Sequence, residues 1–181
     1  MAIEIEKKYR LTQELRDQIA ASLTEFGAEY QGEDFEENTL FANDELMGKG
    51  AVVRIRETSS RSTVTFKKRI QTNSDVKQQI EHESEVSDPN ALRAIFENIG
   101  LRAVAVYEKR RSTYKFRSTE VVLDELPFGL FMEIEGSITS IAEVEMLLGI
   151  EDLKVEHETY PHMTKRFGVQ NGSIMEARFR S

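Results

Sequence analysis

Acidic and basic side chains recur at every second position along several short segments of this 181-residue chain. The first segment, EIEKK, places Glu4, Glu6 and Lys8 two residues apart, with Ile5 and Lys7 between them. Side chains at alternate positions of a β-strand lie on the same face of the sheet, so these three would share a face. Two carboxylates in this arrangement could supply oxygen ligands to a divalent cation.

Further segments repeat this alternation, and each carries mainly one sign of charge. The basic segments are VRIR, TFKKR and EKRR, and the acidic segments are EHESE and MEIEG; their charged residues on one face are Arg54, Arg56, Lys67, Arg69, Lys109, Arg111, Glu81, Glu83, Glu85, Glu133 and Glu135. A solvated face is the ordinary explanation for a single alternating strand. Like charges two residues apart repel, however, so a merely solvated face has no need of them on so many strands.

We therefore predict a closed or nearly closed sheet whose charged faces point inward around one cavity, while helices cover its apolar outer faces. Burying so many charges is costly unless they pair or bind ions. A wet cavity that holds a polyanion and a metal ion would satisfy them. Arginine and lysine bind phosphate groups, and glutamates on neighbouring strands can ligate Mg²⁺ or Mn²⁺. Carboxylates alone would repel a phosphate, so a metal between them is nearly required.

The elements that would position these residues follow from the periodicity. Alternation predicts strands over residues 3–10, 28–43 (with a weaker pattern), 52–58, 63–70, 77–86, 103–116, 119–126 and 130–136. Helical spacing and capping residues predict helices from Thr12 to Gly27, from Asp88 to Gly100 and from Ser140 to Gly149, with a shorter helix over 161–167. The stretch ELMGKGA reads as a turn. Many antiparallel strands with a few helices indicate one α+β domain over residues 1–181.

The composition argues against several classes of protein. Lys and Arg number 24 against 32 Asp and Glu, and the resulting net charge of -8 disfavours nucleic acid as a partner. The absence of cysteine excludes disulfides and thiolate chemistry. No long apolar run and no apolar signal core are present, so we expect no membrane partner and a cytoplasmic location.

The EIEKK segment resembles the Glu-x-Glu-x-Lys signature of the CYTH domain, the triphosphate tunnel metalloenzymes. This family includes class IV adenylyl cyclases, thiamine triphosphatases and inorganic tripolyphosphatases. A lone Glu-x-Glu-x-Lys arises often by chance. The order of the later segments is more specific, and it covers roughly residues 1–168: VRIR, TFK, EHESE, EKRR, VVLDELPFGLFMEIEG and TYPHM.

The resemblance implies an eight-stranded antiparallel β-barrel, or tunnel, that binds a triphosphate with Mg²⁺ or Mn²⁺. By motif position, the metal ligands would be Glu4, Glu6, Glu133 and Glu135, and the phosphate-binding cations would be Arg54, Arg56, Lys67, Lys109 and Arg111. Lys8 would orient or deprotonate the attacking water. Asp124, Glu83 and Glu85 also fall at family positions, where they could balance the tunnel cations. Tyr160 and Lys165 could reach one tunnel mouth, or could simply be a packed aromatic and a solvated lysine.

The sequence also departs from the family pattern. Many members carry an arginine just before the acidic pair of the fifth strand, where this chain has Gln78 and Gln79. The family's YFDT region reads LFAND here, so the resemblance does not carry over a role for its aspartate. The best-known class IV cyclases carry a His-Phe pair ahead of Glu-x-Glu-x-Lys, where this chain has only Met1, Ala2 and Ile3 before Glu4.

Hydrolysis of a triphosphate is the leading hypothesis for function. The substrate could be tripolyphosphate, thiamine triphosphate or a nucleoside triphosphate, and the few aromatic residues near the tunnel strands mildly favour a small inorganic one. A class IV adenylyl cyclase that makes cyclic AMP and pyrophosphate from ATP is the alternative. A non-catalytic module that binds polyphosphate or a nucleotide is the third. A homodimer is one of the oligomeric states that the sequence allows.

Overall fold

The computed structural model describes residues 2–70 and 75–180, and within them lie ten strands and five helices. The strands are β1 (Ala2–Leu11), β2 (Glu29–Ala42), β3 (Ala51–Glu57), β4 (Ser62–Ile70), β5 (Lys77–Glu85), β6 (Arg102–Phe116), β7 (Thr119–Leu126), β8 (Gly129–Glu135), β9 (Val169–Asn171) and β10 (Ile174–Ala177). The helices are α1 (Gln13–Glu25), α2 (Asp44–Gly48), α3 (Pro89–Asn98), α4 (Ile138–Leu148) and α5 (Tyr160–Phe167).

Eight of the described strands form a closed ring. Their order is β2–β3–β4–β5–β1–β8–β7–β6, and β6 pairs back with β2. Every neighbouring pair in the ring is antiparallel. The predicted α+β architecture, with eight antiparallel strands closing on themselves, is confirmed.

The C-terminal segment extends the ring at β6. This strand has 15 residues and β7 has only 8, so β7 covers just the second part of one β6 edge, from Arg110 to Phe116. The earlier part of that edge, from Ala105 to Tyr107, pairs with β10 in parallel, and β9 pairs with β10 in turn. The short parallel pairing holds the end of the described chain beside the ring.

Alternation along the strands sends apolar side chains outward, where helices cover them. On β1, Tyr9 and Leu11 face outward and pack with Ile19 of α1 and Ile141 of α4 in one buried cluster. A second cluster joins Phe96 of α3 to outward side chains of β2 and β3, among them Phe41 and Ile55.

A third buried cluster packs Leu40 and Tyr107, on inward faces of the ring, against Tyr160 and Met163 of α5. The core therefore covers the outer faces of the ring and, beside α5, also includes inward-facing side chains.

The helix boundaries follow from capping side chains. Thr12 and Asp88 cap α1 and α3 as predicted, and Pro89 occupies the first turn of α3. Helix α4 begins earlier than predicted, because Ser137 rather than Ser140 is its N-cap and accepts a hydrogen bond from the Ser140 amide at 3.1 Å.

The predicted turn ELMGKGA overlaps the short helix α2, which begins one residue earlier at Asp44. Asn43 caps this helix by accepting a hydrogen bond from the Leu46 amide at 2.9 Å. Gly50 follows with a φ of 64°, a conformation that glycine adopts at low cost. The end of the predicted strand 63–70 and the start of 77–86 match β4 and β5, and the intervening residues 71–74 lie outside the described residues.

No described helix could cross a membrane. The longest helix within residues 2–70 and 75–180 is α1, with 13 residues, which is shorter than a bilayer requires.

Candidate active site

The inward faces of the ring strands enclose a cavity of about 750 Å³. Most of the residues that the sequence singled out line it: Glu4, Glu6, Lys8, Arg54, Arg56, Lys67, Glu83, Lys109, Arg111, Glu133, Glu135, Tyr160 and Lys165. Two others do not. Asp124 is fully buried behind the cavity wall, and Glu85 is exposed at the end of β5. The structure therefore brings together opposite charges from every part of the chain.

Two buried carboxylates anchor the basic side of the cavity. Glu36 Oε2 lies 3.2 Å from Lys109 Nζ and 3.2 Å from Arg56 Nε. Asp124 accepts two hydrogen bonds from the Arg111 guanidinium, at 2.7 and 2.6 Å, and its Oδ2 lies 3.5 Å from Lys109 Nζ. This bidentate pairing fixes the plane of the Arg111 guanidinium and limits its motion.

The electrostatics of this cluster keep the Glu36 carboxylate charged. Burial alone would raise the pKa of Glu36, but the charges of Lys109 and Arg56 hold that pKa well below its usual range. Burial and the nearby charge of Arg111 lower the pKa of Lys109 to about 8, against the opposing effect of Asp124 and Glu36. The lysine is thus charged at neutral pH and loses its proton more readily than a solvated lysine would.

Arg54 is less fully paired than its neighbours. Its Nη2 donates a hydrogen bond to Thr65 at 3.0 Å and lies 3.5 Å from Glu83, whose side chain is 45% exposed. Its Nε is buried and finds no acceptor among the described residues. A buried guanidinium nitrogen without a partner costs free energy, and an anion in the cavity would remove that cost.

Carboxylates and lysines share the acidic side of the cavity. Glu4 accepts a hydrogen bond from Gln79 at 2.9 Å and lies 3.6 Å from Lys67 Nζ. Lys67 also donates to Glu81, and Lys77 donates to Glu6 at 2.7 Å. Glu133 accepts a hydrogen bond from Arg111 at 2.7 Å, so Glu133 joins the acidic and basic sides.

Glu135, the fourth predicted metal ligand, lies in a region with an excess of negative charge. Burial raises its pKa, and the charges of Glu4, Glu120 and Glu6 raise it further, to about 7. A side chain that resists ionisation in this way marks a place where an added cation would be stabilised.

The donor set fits a hard divalent cation by its chemistry. Mg²⁺ and Mn²⁺ prefer carboxylate oxygens, and Glu4, Glu6, Glu133 and Glu135 would provide them. Within residues 2–70 and 75–180, no three acidic or histidine side chains converge in a ready-made metal-binding arrangement. Three of these four glutamates accept hydrogen bonds from other side chains, so a cation would compete with those partners.

Lys8 lies between the acidic residues and α5. It is only 5% exposed, and its Nζ lies 4.3 Å from the centre of the Tyr160 ring. Burial lowers the pKa of Lys8, and the charges of Glu133 and Glu6 oppose that shift in part. A lysine in this setting gives up its proton more readily than one in water.

The C-terminal residues Tyr160 and Lys165 have different surroundings. Tyr160 is buried, lines the cavity and donates a hydrogen bond of 2.8 Å from its hydroxyl to Asp124. It is therefore both a packed aromatic and a cavity residue. Lys165 is exposed and lies at the cavity mouth, where α5 meets the ring.

Several residues at the site escaped the sequence reasoning. Lys77 and Gln79 line the cavity, and the buried Glu36 and Asn38 contact Arg56, which lines it. Glu36 and Asn38 belong to β2, whose first half is exposed and hides the alternation of its second half. The alternation of Glu36, Asn38 and Leu40 was available as a signal. Gln79 lies just before the acidic residues of β5, where the family pattern has an arginine. Lys77, two residues earlier on the same strand face, donates a hydrogen bond to Glu6.

The fold has counterparts among known proteins. The CYTH domain family model matches residues 2–162. A Methanocaldococcus jannaschii protein named "Putative adenylate cyclase" is 27% identical over 150 residues, which cover 81% of this chain and 83% of that protein. A solved Pyrococcus horikoshii protein is 26% identical, with a TM-score of 0.76, over 87% of this chain and 97% of that one.

A more distant structure from Hippeastrum has a TM-score of 0.65 and 17% identity, over 87% of this chain and 91% of that one. It is described as a putative adenylyl cyclase that reveals a dominant triphosphatase activity. At that identity the likeness shows the fold alone.

Proposed function

The chain belongs to the CYTH domain family, and from that premise we propose that it hydrolyses a triphosphate inside the charged cavity, with the help of a divalent metal ion. The observation that carries the proposal is the meeting of five cations with four carboxylates on the wall of one cavity: Arg54, Arg56, Lys67, Lys109 and Arg111 with Glu4, Glu6, Glu133 and Glu135. The Hippeastrum protein supplies a precedent for triphosphatase activity in this fold.

The basic side would bind the phosphate chain. Arg111 is held rigid by Asp124, and Lys109 is held by Glu36 and Asp124, so both present their charge without reorganising. Arg54 has a buried Nε that needs an acceptor. Fixed cations in a partly closed site stabilise the charge that develops on a transferred phosphoryl group.

The acidic side would hold the metal. Glu4, Glu6, Glu133 and Glu135 are the residues to bind it, and Glu133 would also keep its contact with Arg111. A bound Mg²⁺ or Mn²⁺ would neutralise phosphate oxygens and shield them from these carboxylates.

Lys8 is the candidate to handle the proton of the attacking water. It lies beside the acidic residues, and burial has already lowered its pKa. In its neutral form the amine could accept a proton from water, and in its charged form it could orient the water or the phosphate. The contact with the Tyr160 ring restricts where the amine can go.

Adenylyl cyclase activity is the second candidate, and the observation that favours it is the name carried by the M. jannaschii relative. The same cations would bind ATP, and a ribose hydroxyl would replace water as the nucleophile. The charged residues alone suit both reactions, so the products must decide between them.

Product analysis tests the proposal directly. The purified protein, with Mg²⁺ or Mn²⁺, is given tripolyphosphate, thiamine triphosphate and ATP separately, and orthophosphate, pyrophosphate and cyclic AMP are measured. We expect orthophosphate, with loss of its release in Lys67→Gln and normal release in the exposed neighbour variant Lys68→Gln. Cyclic AMP with pyrophosphate would replace the proposal by the cyclase, and binding without any product would leave a non-catalytic module.

A further inference from the structure

The first half of β2 extends beyond the closed ring, where one of its two edges has no partner strand. Along one edge, β2 pairs with β6 from Glu29 to Ala42. Along the other edge it pairs with β3 only from Glu37 to Phe41, because β3 ends at Glu57 and the chain then turns. Within residues 2–70 and 75–180, no strand pairs with that edge over residues 29–36, which we call the open edge. Backbone groups that point away from β6 there are available to another extended chain.

The open edge carries unpaired negative charge. Three exposed carboxylates, Glu29, Glu33 and Asp34, form no ion pair with any residue that the structure describes. Glu33 accepts a hydrogen bond of 3.2 Å from the Ser112 hydroxyl, which is a neutral donor. Charge of one sign on a surface attracts a partner of the opposite sign and disfavours one of the same sign. The open edge therefore suits a positively charged partner.

Aromatic rings flank these carboxylates on the outer face of the sheet. Tyr30 and Phe35 are 54% and 48% exposed, although each lies near a second ring. The Tyr30 ring is 5.1 Å from that of Tyr114, and the Phe35 ring is 6.3 Å from that of Phe179, centre to centre. Exposed aromatic faces attract the cationic groups of lysine and arginine. The rings would therefore add to the attraction that the carboxylates exert.

Gly32 leaves room for a second backbone at the middle of the open edge. Its φ is 120°, a conformation that residues with a side chain rarely adopt, and the register with β6 shifts between Tyr30 and Gly32. A Cβ added at Gly32 would meet no atom of the described residues within 4 Å. Glycines within strands often mark the close approach of another backbone. The open edge thus has space as well as free hydrogen-bonding groups.

The charge pattern distinguishes between the partners that could pair with this edge. A second copy of the chain, paired through the same edge, would bring the carboxylates of both copies to one strand pair. Like charges on neighbouring strands are destabilising, so the carboxylates oppose this pairing. A strand with lysine or arginine at alternate positions would instead place cations beside the carboxylates and the rings.

We propose that the open edge of β2 binds an extended basic segment of another protein, which adds to the sheet as a further strand. Backbone hydrogen bonds to β2 would hold the segment, as in other complexes that extend a sheet at its edge. Basic side chains on its outer face would lie near Glu33, Tyr30 and Phe35. Those on its other face would lie near Asp34. No residue from 29 to 36 lines the cavity, so this inference does not depend on the proposed triphosphatase.

Synthetic peptides test the inference on the full chain. The probe is an octapeptide of alternating arginine and valine, blocked at both ends, and its affinity is measured by calorimetry. We expect it to bind, and hydrogen exchange followed by mass spectrometry should become slower in residues 29–36. A peptide with glutamate in place of arginine should not bind. A peptide with two of its valines replaced by proline keeps the charge but loses backbone donors, so its affinity should be at least about tenfold lower.

Charge reversal on the open edge assigns the binding to its carboxylates. Glu33→Lys combined with Asp34→Lys should weaken the arginine–valine peptide by more than about tenfold. Glu151→Lys combined with Asp152→Lys is the matched control, because it reverses two adjacent exposed acids in the turn after α4. At physiological salt the control should change the affinity by less than about twofold. If the charge-reversed edge does not fold, Glu33→Gln combined with Asp34→Asn should still weaken binding by about threefold.

Several results would overturn the inference. Equal weakening in the edge and control variants, or an undiminished affinity of the proline peptide, would mean attraction by net charge alone. Binding without slower exchange in residues 29–36 would place the peptide elsewhere. A dimer of the protein alone, seen in sedimentation and dissociated by the edge variant, would assign the edge to a second copy. No binding of the arginine–valine peptide would leave the carboxylates as protection of the open edge against aggregation.

Discussion

The hydroxyl of Tyr160, on the C-terminal helix α5, donates a hydrogen bond of 2.8 Å to Asp124, on strand β7 of the ring. Both side chains are buried, and the same carboxylate accepts two hydrogen bonds from Arg111. This hydrogen bond connects α5 to Asp124, the residue that orients the Arg111 guanidinium. Substitutions in α5 should therefore affect the position of Arg111 on the basic side of the cavity.

Asp124→Ala should destabilise the fold strongly, because it leaves Arg111 and Lys109 with less compensation inside the protein. We expect the free energy of unfolding to fall by about 3–5 kcal/mol, as measured by urea denaturation. Glu125→Ala is the matched control, since Glu125 is next along β7 and pairs with Arg110 near the surface. A partly exposed pair of that kind should contribute less than about 1 kcal/mol. Equal losses in the two variants would refute the assigned role of Asp124.

Tyr160→Phe removes the hydrogen bond to Asp124 and keeps the ring that Lys8 contacts. Since the lost bond is made to a charged group, we expect the unfolding free energy to fall by about 1.5–3 kcal/mol. Tyr30, whose side chain is 54% exposed, provides the control, and Tyr30→Phe should leave thermal denaturation unchanged. A Tyr160→Phe protein as stable as the unmodified one would show that α5 is not held by this bond.

The charge of Lys109 predicts a basic limit to substrate capture. Burial and the charge of Arg111 lower its pKa to about 8, so its positive charge is present below that pH and is lost as the pH rises through it. We expect kcat/KM, which reports the free enzyme, to fall above about pH 8. The pH profile of the hydrolysis reaction checks this.

Lys109→Arg is the variant that identifies the group responsible. An arginine keeps its charge throughout this range, so the fall in kcat/KM should move to higher pH. An unchanged profile in this variant would assign the basic limit to another group.

Removal of a predicted metal ligand should weaken metal binding in the absence of any substrate. We expect Glu6→Gln and Glu133→Gln each to raise the dissociation constant of Mn²⁺ by more than about tenfold, as followed by electron paramagnetic resonance. Glu29→Gln changes the net charge equally at an exposed position of β2 and should have no effect. Unaltered Mn²⁺ binding in both cavity variants would place the metal elsewhere.

The inward charges were predictable because strand periodicity is a local property. Glu4, Glu6 and Lys8, or Arg54 and Arg56, must share a face once their segments are strands. Closure of the ring was predictable because charged faces recur on several strands, and burying these charges is costly unless they pair with one another or bind ions. The family resemblance then indicated a role for each position.

The remaining features depend on contacts between distant segments. Glu36 meets Lys109 only because β2 pairs with β6 across the closure of the ring. Val104 lines the cavity through a local shift of register, which alternation along β6 does not predict. Tyr160 reaches Asp124 because α5 packs over the end of the ring, and residues 36 positions apart in the chain carry no local signal of such a bond.

The most direct test of the central claim is the binding of tripolyphosphate and ATP to Arg54→Gln, measured by calorimetry beside Arg110→Gln. Arg54 lines the cavity with a buried Nε that lacks an acceptor among the described residues, whereas Arg110 lies on the outer face and pairs with Glu125. We predict that Arg54→Gln weakens both ligands by more than about tenfold while Arg110→Gln leaves their affinities unchanged. Unchanged binding to Arg54→Gln, or equal losses in the two variants, would contradict the assignment of the cavity as the triphosphate site.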